Sequence, residues 1–287
     1  APTGIRVGRN ISERENTVIL NLIHVSETSF RWKKFALRGI LSTGIHEERG
    51  YPMIIRKNID QHMKQLKEWL HETRDIGLEE MSSFFSSRID GYEEHMSLWK
   101  DAYRRFAELL PQECIQILDL GCGTGLELDE CFRRFPDLQV TGVDLCQEML
   151  EKLCEKHGEK HLRTFCADYL SFDMGKNRWD AVISFESLHH FFPEQKLGLY
   201  QKIYHSLKEK GIFLLGDYIA CCEEEESLLQ KRYLQKREHF AIPDGQLVHF
   251  DIPLTLEHET SLLQQAGFSK VDAMDSIEGA TILTAAK

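Results

Sequence analysis

The sequence predicts a doubly wound α/β protein. It should carry a mostly parallel, seven-stranded sheet with an antiparallel last strand, preceded by a small, mainly helical N-terminal region. Three observations carry that expectation. From Tyr92 onward, short strand-like runs alternate with helical stretches. A glycine-rich loop follows the first run, and the last two runs are joined only by "DSIEGA", too short for a crossover, so they must pair antiparallel.

The elements follow in order. Ser12 and Glu15 fit a capping box for a helix in 11–27, where Val18, Ile19, Leu22 and Ile23 form one apolar stripe. "FALRGIL" is a second short helix, and "GYPMIIRKN" is extended, because Pro52 disfavours helix and β-branched residues follow. Residues 58–73 are helical again, with Ile59, Met63, Leu66, Trp69 and Leu70 on one side. That order of elements suits a winged-helix-like module, or equally a lid or dimerisation extension. The Ser- and Gly-bearing "TRDIGLEEMSSFFSSRIDG" marks the junction, which gives an accessory region over 1–75 and the main domain over 76–287. Beyond it come helix 92–110, strand 115–119, helix 125–135, strand 139–143, helix 147–157 and strands 162–166 and 179–184. Helix 194–209, strand 212–216, helices 223–238 and 255–266, and strands 270–274 and 281–285 complete the series.

Composition narrows the function. With 42% hydrophobic and 28% charged residues the chain has enough apolar material for a real core. No run approaches the ~20 apolar residues that span a bilayer, and "APTGIRVGRNISERE" lacks the apolar centre of a secretory signal. Eight cysteines without a CxxC pair or zinc spacing point to a reduced, cytoplasmic protein rather than a disulfide or metal scaffold. Residues 1–75 hold 13 Lys/Arg against 9 Asp/Glu, a net +4, and the remainder holds 22 against 37, a net −15. An acidic main body argues against nucleic acid over the whole surface, while the basic head remains able to touch an anionic partner.

The chemistry begins at "ILDLGCGTG". Gly121, Gly123 and Gly125 lie at a strand's carboxyl end just before a helix, where a loop without Cβ atoms lets a ligand press against backbone amides. The spacing is GxGxG rather than the GxGxxG of a dinucleotide site, and Asp119 in front of it suits a ligand with a positive group rather than a diphosphate. Nineteen residues after Gly125, "VTGVDL" ends the next strand in Asp144, placed to accept from ribose hydroxyls. One strand later "FCADYL" supplies Asp168, able to accept from an adenine amino group.

Together, "ILDLGCGTG", "VTGVDL" and "FCADY" resemble the class I S-adenosylmethionine-dependent methyltransferases over roughly residues 90–287. The resemblance implies S-adenosyl-L-methionine as cofactor, with S-adenosyl-L-homocysteine as product. It places the glycine loop along the methionine portion, Asp144 on the ribose, Leu145 and Met149 around the adenine, and Asp168 with Tyr169 at its edge. Phe185 counts with these cofactor-binding residues. Tyr92, in "RIDGYEEHMSLW", is carried over as a lid residue, with His95 and Trp99 as weaker candidates.

The next loop, "WDAVISFESLHHFF", leaves the same sheet edge and in similar enzymes lies beside the methyl group. In-line methyl transfer needs a positioned acceptor lone pair and removal of a proton. His189 or His190 is a candidate for that proton, unless one packs structurally and the other caps the next helix. Glu186 either orients the acceptor or accepts backbone hydrogen bonds. Asp217 and Tyr218 end the following strand and point toward the same crevice. The helix in "EEEESLLQKRYLQKREHF" reads as a solvated face, with Arg232, Tyr233 and His239 available to close over a substrate. No carboxylate cluster at the strand ends suggests a metal.

The expectation is therefore methyl transfer to an oxygen or nitrogen of a small molecule, with His189, Glu186 and Asp217 as catalytic candidates. Two alternatives stand beside it. One is RNA, tRNA included, docked through residues 1–75; the other is a protein that modifies the cofactor, as the carboxy-S-adenosylmethionine synthases do, or only binds it. No membrane partner is expected, and a second copy of the chain is a candidate partner for the N-terminal stripes.

Overall fold

A computed structural model describes residues 55, 56 and 58–287. The helices expected in 11–27 and "FALRGIL", and six of the nine residues of the extended segment 50–58, lie outside the described residues.

The described chain runs α1 (Ile59–Glu72), α2 (Met81–Ser86), α3 (Ile89–Met96), α4 (Lys100–Glu108), β1 (Gln116–Leu120), α5 (Leu126–Arg134), β2 (Gln139–Asp144), α6 (Gln147–His157) and β3 (Leu162–Cys166). It continues through β4 (Trp179–Phe185), α7 (Pro193–Ser206), β5 (Leu207–Tyr218), α8 (Glu223–His239), α9 (Leu256–Ala266), β6 (Lys270–Ile277) and β7 (Ala280–Ala286). The seven strands lie in the order β3-β2-β1-β4-β5-β7-β6. β1 to β5 are parallel, while β7 runs antiparallel between β5 and β6. Glu278 and Gly279 close the last hairpin with φ of 50° and 88°, the twist a two-residue turn needs to match its strands.

β1 and β4 sit at the centre, and "ILDL" and "AVISF" are buried on both faces, as central parallel strands require. On one face Phe106, Leu128, Cys131 and Phe132 pack from α4 and α5. On the other, Leu199, Tyr200 and Ile203 of α7 meet Leu263 of α9. Strand order reverses between β1 and β4, so their carboxyl ends, with that of β2, open a crevice.

Two expectations need correcting. Helix 92–110 is broken: α3 ends at Met96, Ser97–Trp99 forms a 3₁₀ turn, and α4 restarts. Ser97 Oγ donates to the Glu94 carbonyl at 2.6 Å, a local bond that competes with the helix ladder. Trp99 thereby enters the core and donates from Nε1 to the Glu278 carbonyl at 3.0 Å.

Nor is α8 a solvated face. Glu225, Leu229, Tyr233 and Lys236 form a buried stripe, and α1 covers it with Met63, Leu66 and Leu70. The buried charges are satisfied. Glu225 meets His62 Nε2 at 2.5 Å and accepts from Tyr218 Oη and from Cys221 N. Burial would raise that carboxyl, but the His62 contact and these bonds hold it down to about 2. Lys236 Nζ donates to the carbonyls of Thr73 and Ile76 at 2.6 Å each, placing a cation at the carboxyl end of α1. Helix α1, which the sequence assigns to the accessory region, is thus packed on the α/β body.

Candidate active site

The three glycines of the β1 loop share positive φ but do different work. At Gly121 a Cβ would fall 2.0 Å from Ser187 Oγ, so the loops after β1 and β4 interlock there. At Gly125 it would fall 2.4 Å from Leu153 Cδ1, so this glycine seats α5 against α6. At Gly123 a Cβ would meet only Tyr92 Oη, at an ordinary contact distance of 3.6 Å. Its N–H donates to Asp144 Oδ2 at 2.9 Å, and Asp144 Oδ1 accepts from Cys146 N at 2.8 Å. Asp144 therefore braces the glycine loop against the start of α6. Burial raises its carboxyl above the ordinary range despite those two bonds.

Beneath the loop lies a pair of acids. Asp119 is fully buried, and neither of its oxygens has a hydrogen bond among the described residues. Glu127, in the first turn of α5, is its neighbour. Burial and the repulsion between the two raise Asp119 well above its ordinary value, and burial pushes Glu127 up to about 7. Such a pair calls for a proton or a cationic ligand group.

A chamber opens above, with about 580 Å³ of empty space that runs out into open solvent. Of the cofactor residues expected from sequence, Tyr92, Gly121, Gly123, Asp144, Leu145, Met149, Tyr169 and Phe185 line it. Asp119 and Gly125 lie behind its wall for the reasons given. Asp168 is not on the wall either: its Oδ1 accepts from Leu170 N at 2.8 Å within its own loop. Tyr169 approaches Ser187 Oγ at 3.0 Å and fixes the loop after β4.

A second chamber, of about 420 Å³, shares Phe85, Tyr92, Glu186 and His190 with the first. Glu186, directly after β4, has φ of 50°, a conformation that costs about 1–2 kcal/mol for a residue with a side chain. Strain of this kind gathers at functional sites. His189 and Asp217 form a buried pair, Nδ1 to Oδ1 at 2.6 Å, and His189 Nε2 stands 3.4 Å from Asp251 Oδ1. Burial pushes the His189 imidazole down, but Asp217 and Asp251 outweigh it and raise it to about 9. A group charged at neutral pH is a poor proton acceptor, so His189 does not fit the base role considered for it. Asp217 is fully buried behind His189 and forms no wall of either chamber. His190 lies with Nδ1 3.1 Å from the Phe250 carbonyl oxygen, and burial, with His189 and His249 nearby, keeps it well below its ordinary value.

Of the weaker candidates, His95 lines the second chamber. Tyr233 stacks on Phe250 at 5.8 Å, whereas His239 is exposed and Arg232 lines none of the chambers. Tyr218 faces a third cavity of about 660 Å³ between α1 and α8, which shares Phe84, His249 and Asp251 with the second chamber.

Sequence reasoning missed Glu127, Phe84, Phe85, His249 and Asp251. The last two belong to an irregular segment held by backbone bonds: His249 N donates to Glu79 O at 2.9 Å, and Ile252 N to His189 O at 2.7 Å. Phe84 stacks on His249 with ring centroids 3.5 Å apart. Paired aromatics inside serine-rich "MSSFFSS", and polar His and Asp inside apolar "VHFDIPL", were the available signals.

A doubly wound sheet with a glycine loop, a strand-end aspartate and a chamber at its switch point defines an α/β enzyme of the nucleoside-cofactor class. Residues 117–211 match the family model described as a methyltransferase domain. The chain is similar to the carboxy-S-adenosyl-L-methionine synthase of Nautilia profundicola, 26% identical over 211 residues, covering 68% of this chain and 87% of that one. Its counterpart from Helicobacter pylori is 28% identical over 183 residues, covering 60% and 75%. In fold the chain resembles the S-adenosylmethionine-dependent methyltransferase SibL, with a TM-score of 0.55 at 16% identity over 97% of this chain and 78% of that one. Streptomyces venezuelae DesVI gives 0.51 at 15% identity, over 70% and 97%. Residues 117–211 thus carry a methyltransferase domain, whose cofactor is S-adenosyl-L-methionine, on a fold shared with S-adenosylmethionine-dependent methyltransferases. The chamber fits that cofactor: Gly123 leaves room where a side chain would intrude, and Asp144, Leu145, Met149 and Tyr169 stand on its wall. Among the described residues no helix is long and apolar enough to cross a membrane.

Proposed function

We propose that this enzyme methylates an oxygen or nitrogen atom of a small molecule whose acceptor group is neutral or cationic. One observation carries the reading. The cofactor chamber adjoins a chamber walled by Phe84, Phe85 and Tyr92, together with Glu186, Asp251 and histidines, and no Lys or Arg of the described residues lines either one. Aromatic faces beside carboxylates favour an amine or a hydroxyl-bearing ring over an anion.

When bound, the cofactor supplies an electrophilic methyl group on a sulfonium. Glu186, on the wall common to both chambers, orients the acceptor and takes its proton. Tyr92 and Phe85 exclude water. Asp144 holds the ribose, and Asp119 with Glu127 faces the amino-acid tail from beneath the glycine loop. Asp217 acts through His189, as a positioning residue.

A second reading has its own support, since the relatives at 26% and 28% identity are named for making a carboxylated cofactor. A carboxyl donor brings negative charge, which these walls do not invite. The test is incubation with methyl-labelled cofactor and pooled amines, alcohols and carboxylic acids, followed by mass spectrometry. Label is expected in an amine or alcohol, with S-adenosylhomocysteine formed, and Glu186→Gln should lower kcat by about 10²-fold or more. Recovery of a heavier, carboxylated cofactor without any methylated product would overturn the proposal.

A further inference from the structure

Helix α1 closes over α8 without filling the space beneath it. The cavity left there is bordered by Trp69, Leu78, Tyr218, Leu229 and Phe250. Close-packed interiors leave few such voids, because atoms that face one forfeit their dispersion contacts. A cover helix that served stability alone would gain by bringing larger side chains together here. Even the rim is uncrowded: at Gly77 a Cβ would meet only Phe240 Cε1, at 4.0 Å.

The wall has little polar demand left. Lys236 directs Nζ to the carbonyls of Thr73 and Ile76, at 2.6 Å each. Glu79 accepts from both arms of the Arg88 guanidinium, at 3.0 and 2.7 Å. Tyr218 spends its hydroxyl on Glu225. What these groups leave to an occupant is a surface of aromatic and aliphatic side chains, suited to a part of a molecule that gains by leaving water.

Position is the second observation. Phe84, His249 and Asp251 border this cavity and the acceptor chamber alike. Phe84 and His249 stack with centroids 3.5 Å apart, and His249 Nε2 stands 4.0 Å from Asp251 Oδ1. Backbone bonds from His249 to Glu79 and from Ile252 to His189 hold this common wall in place.

We propose that the cavity between α1 and α8 binds the apolar remainder of the acceptor. The molecule methylated is then an amine or alcohol that carries an alkyl chain or aryl ring, its reacting group beside Glu186 and its apolar part against Trp69, Leu229 and Phe250. This inference rests on the reading of the second chamber as the acceptor chamber. It assigns the choice of acceptor to α1 and α8, apart from the loop after β4 where the methyl group moves.

The test titrates the full chain, saturated with S-adenosylhomocysteine, with straight-chain primary amines from ethylamine to octylamine and with phenylalkylamines, by calorimetry. Affinity should rise about three- to fourfold for each methylene that enters the cavity. Leu229→Phe narrows the cavity from α8 and Gly77→Leu from its rim, and each, once a melt shows it folded, should flatten that rise. Transfer from S-adenosylmethionine is read on the same amines. Affinity that climbs along the series without transfer keeps the subsite and rejects methylation of amines. A series that is flat in the wild type would overturn the subsite and leave the cavity to a segment of the chain itself, whether or not the amines are methylated. An undiminished rise in both folded variants would overturn it as well, since the apolar chain would then lie elsewhere.

Discussion

Replacing Asp144 by alanine removes a brace and a ligand contact together. The carboxylate accepts from Gly123 N at 2.9 Å and from Cys146 N at 2.8 Å. A hydrogen bond to a charged group contributes about 1.5–3 kcal/mol, and the half-buried setting of Asp144 lets water replace part of it. Taking the lower end for each, the two bonds amount to about 3 kcal/mol of stability without cofactor. At about 2–4 °C per kcal/mol, the melting midpoint should fall by roughly 6–12 °C. Loss of the ribose contact adds about 1.5–3 kcal/mol to binding, a roughly ten- to 150-fold weaker affinity for S-adenosylhomocysteine. Asp144→Asn keeps one acceptor oxygen and should fall between wild type and alanine. Circular dichroism melts without cofactor and calorimetric titrations separate the two effects. An unchanged midpoint would refute the brace, and unchanged affinity in a folded variant would remove the ribose role.

Three further outcomes follow from the same geometry. Gly125→Ala, whose Cβ would fall 2.4 Å from Leu153 Cδ1, should lower the melting midpoint more than Gly123→Ala, which shares the positive-φ strain but meets only Tyr92 Oη at 3.6 Å and should instead lose cofactor affinity; equal effects in both assays would deny the division of labour among the glycines. Glu127 has its carboxyl raised from 4.5 to about 7, so the folded state holds the extra proton and stability without cofactor should decline as pH rises from 4.5 to about 7, then level off. The ionised form suits the cofactor ammonium, so affinity should tighten through that same window; Glu127→Gln should flatten both profiles, and a pH dependence that survives in it would assign the effect elsewhere. A chain begun at Ile76 loses Met63, Leu66 and Leu70 from the core under α1, about 1.5–3 kcal/mol for each buried side chain, and should melt well below one begun at Ile55. Equal midpoints would return the domain boundary to residue 75.

The sheet was legible in the sequence because its signals are local. β-branched runs, the interval from Gly125 to Asp144 and the short "DSIEGA" connection all lie within a few residues of what they determine. The second chamber and the cover of α1 over α8 were not legible for the opposite reason. His62 and Glu225, whose pairing lets α8 bury charge, are 163 residues apart, so no reading of "EEEESLLQKRY" alone distinguishes a buried acid from a solvated one. His249 and Asp251 carry no periodicity, since backbone bonds to Glu79 and from Ile252 to His189 place them. Of the histidines, sequence singled out His189 and His190 but not their states, which depend on Asp217, Asp251 and His249 arriving from other elements.

The cover that α1 forms over α8 also sets an order of events during synthesis. Met63, Leu66 and Leu70 leave the ribosome early, yet their partners Leu229, Tyr233, Phe250 and Ile252 are translated last but for α9 and the final hairpin. At about 5–20 residues per second, the gap between Glu72 and Ile252 lasts roughly 10–40 s. Throughout that interval the nascent chain displays an amphipathic helix ahead of the partners it packs against in the fold, and this cover over α8 is a part a holdase chaperone would meet early.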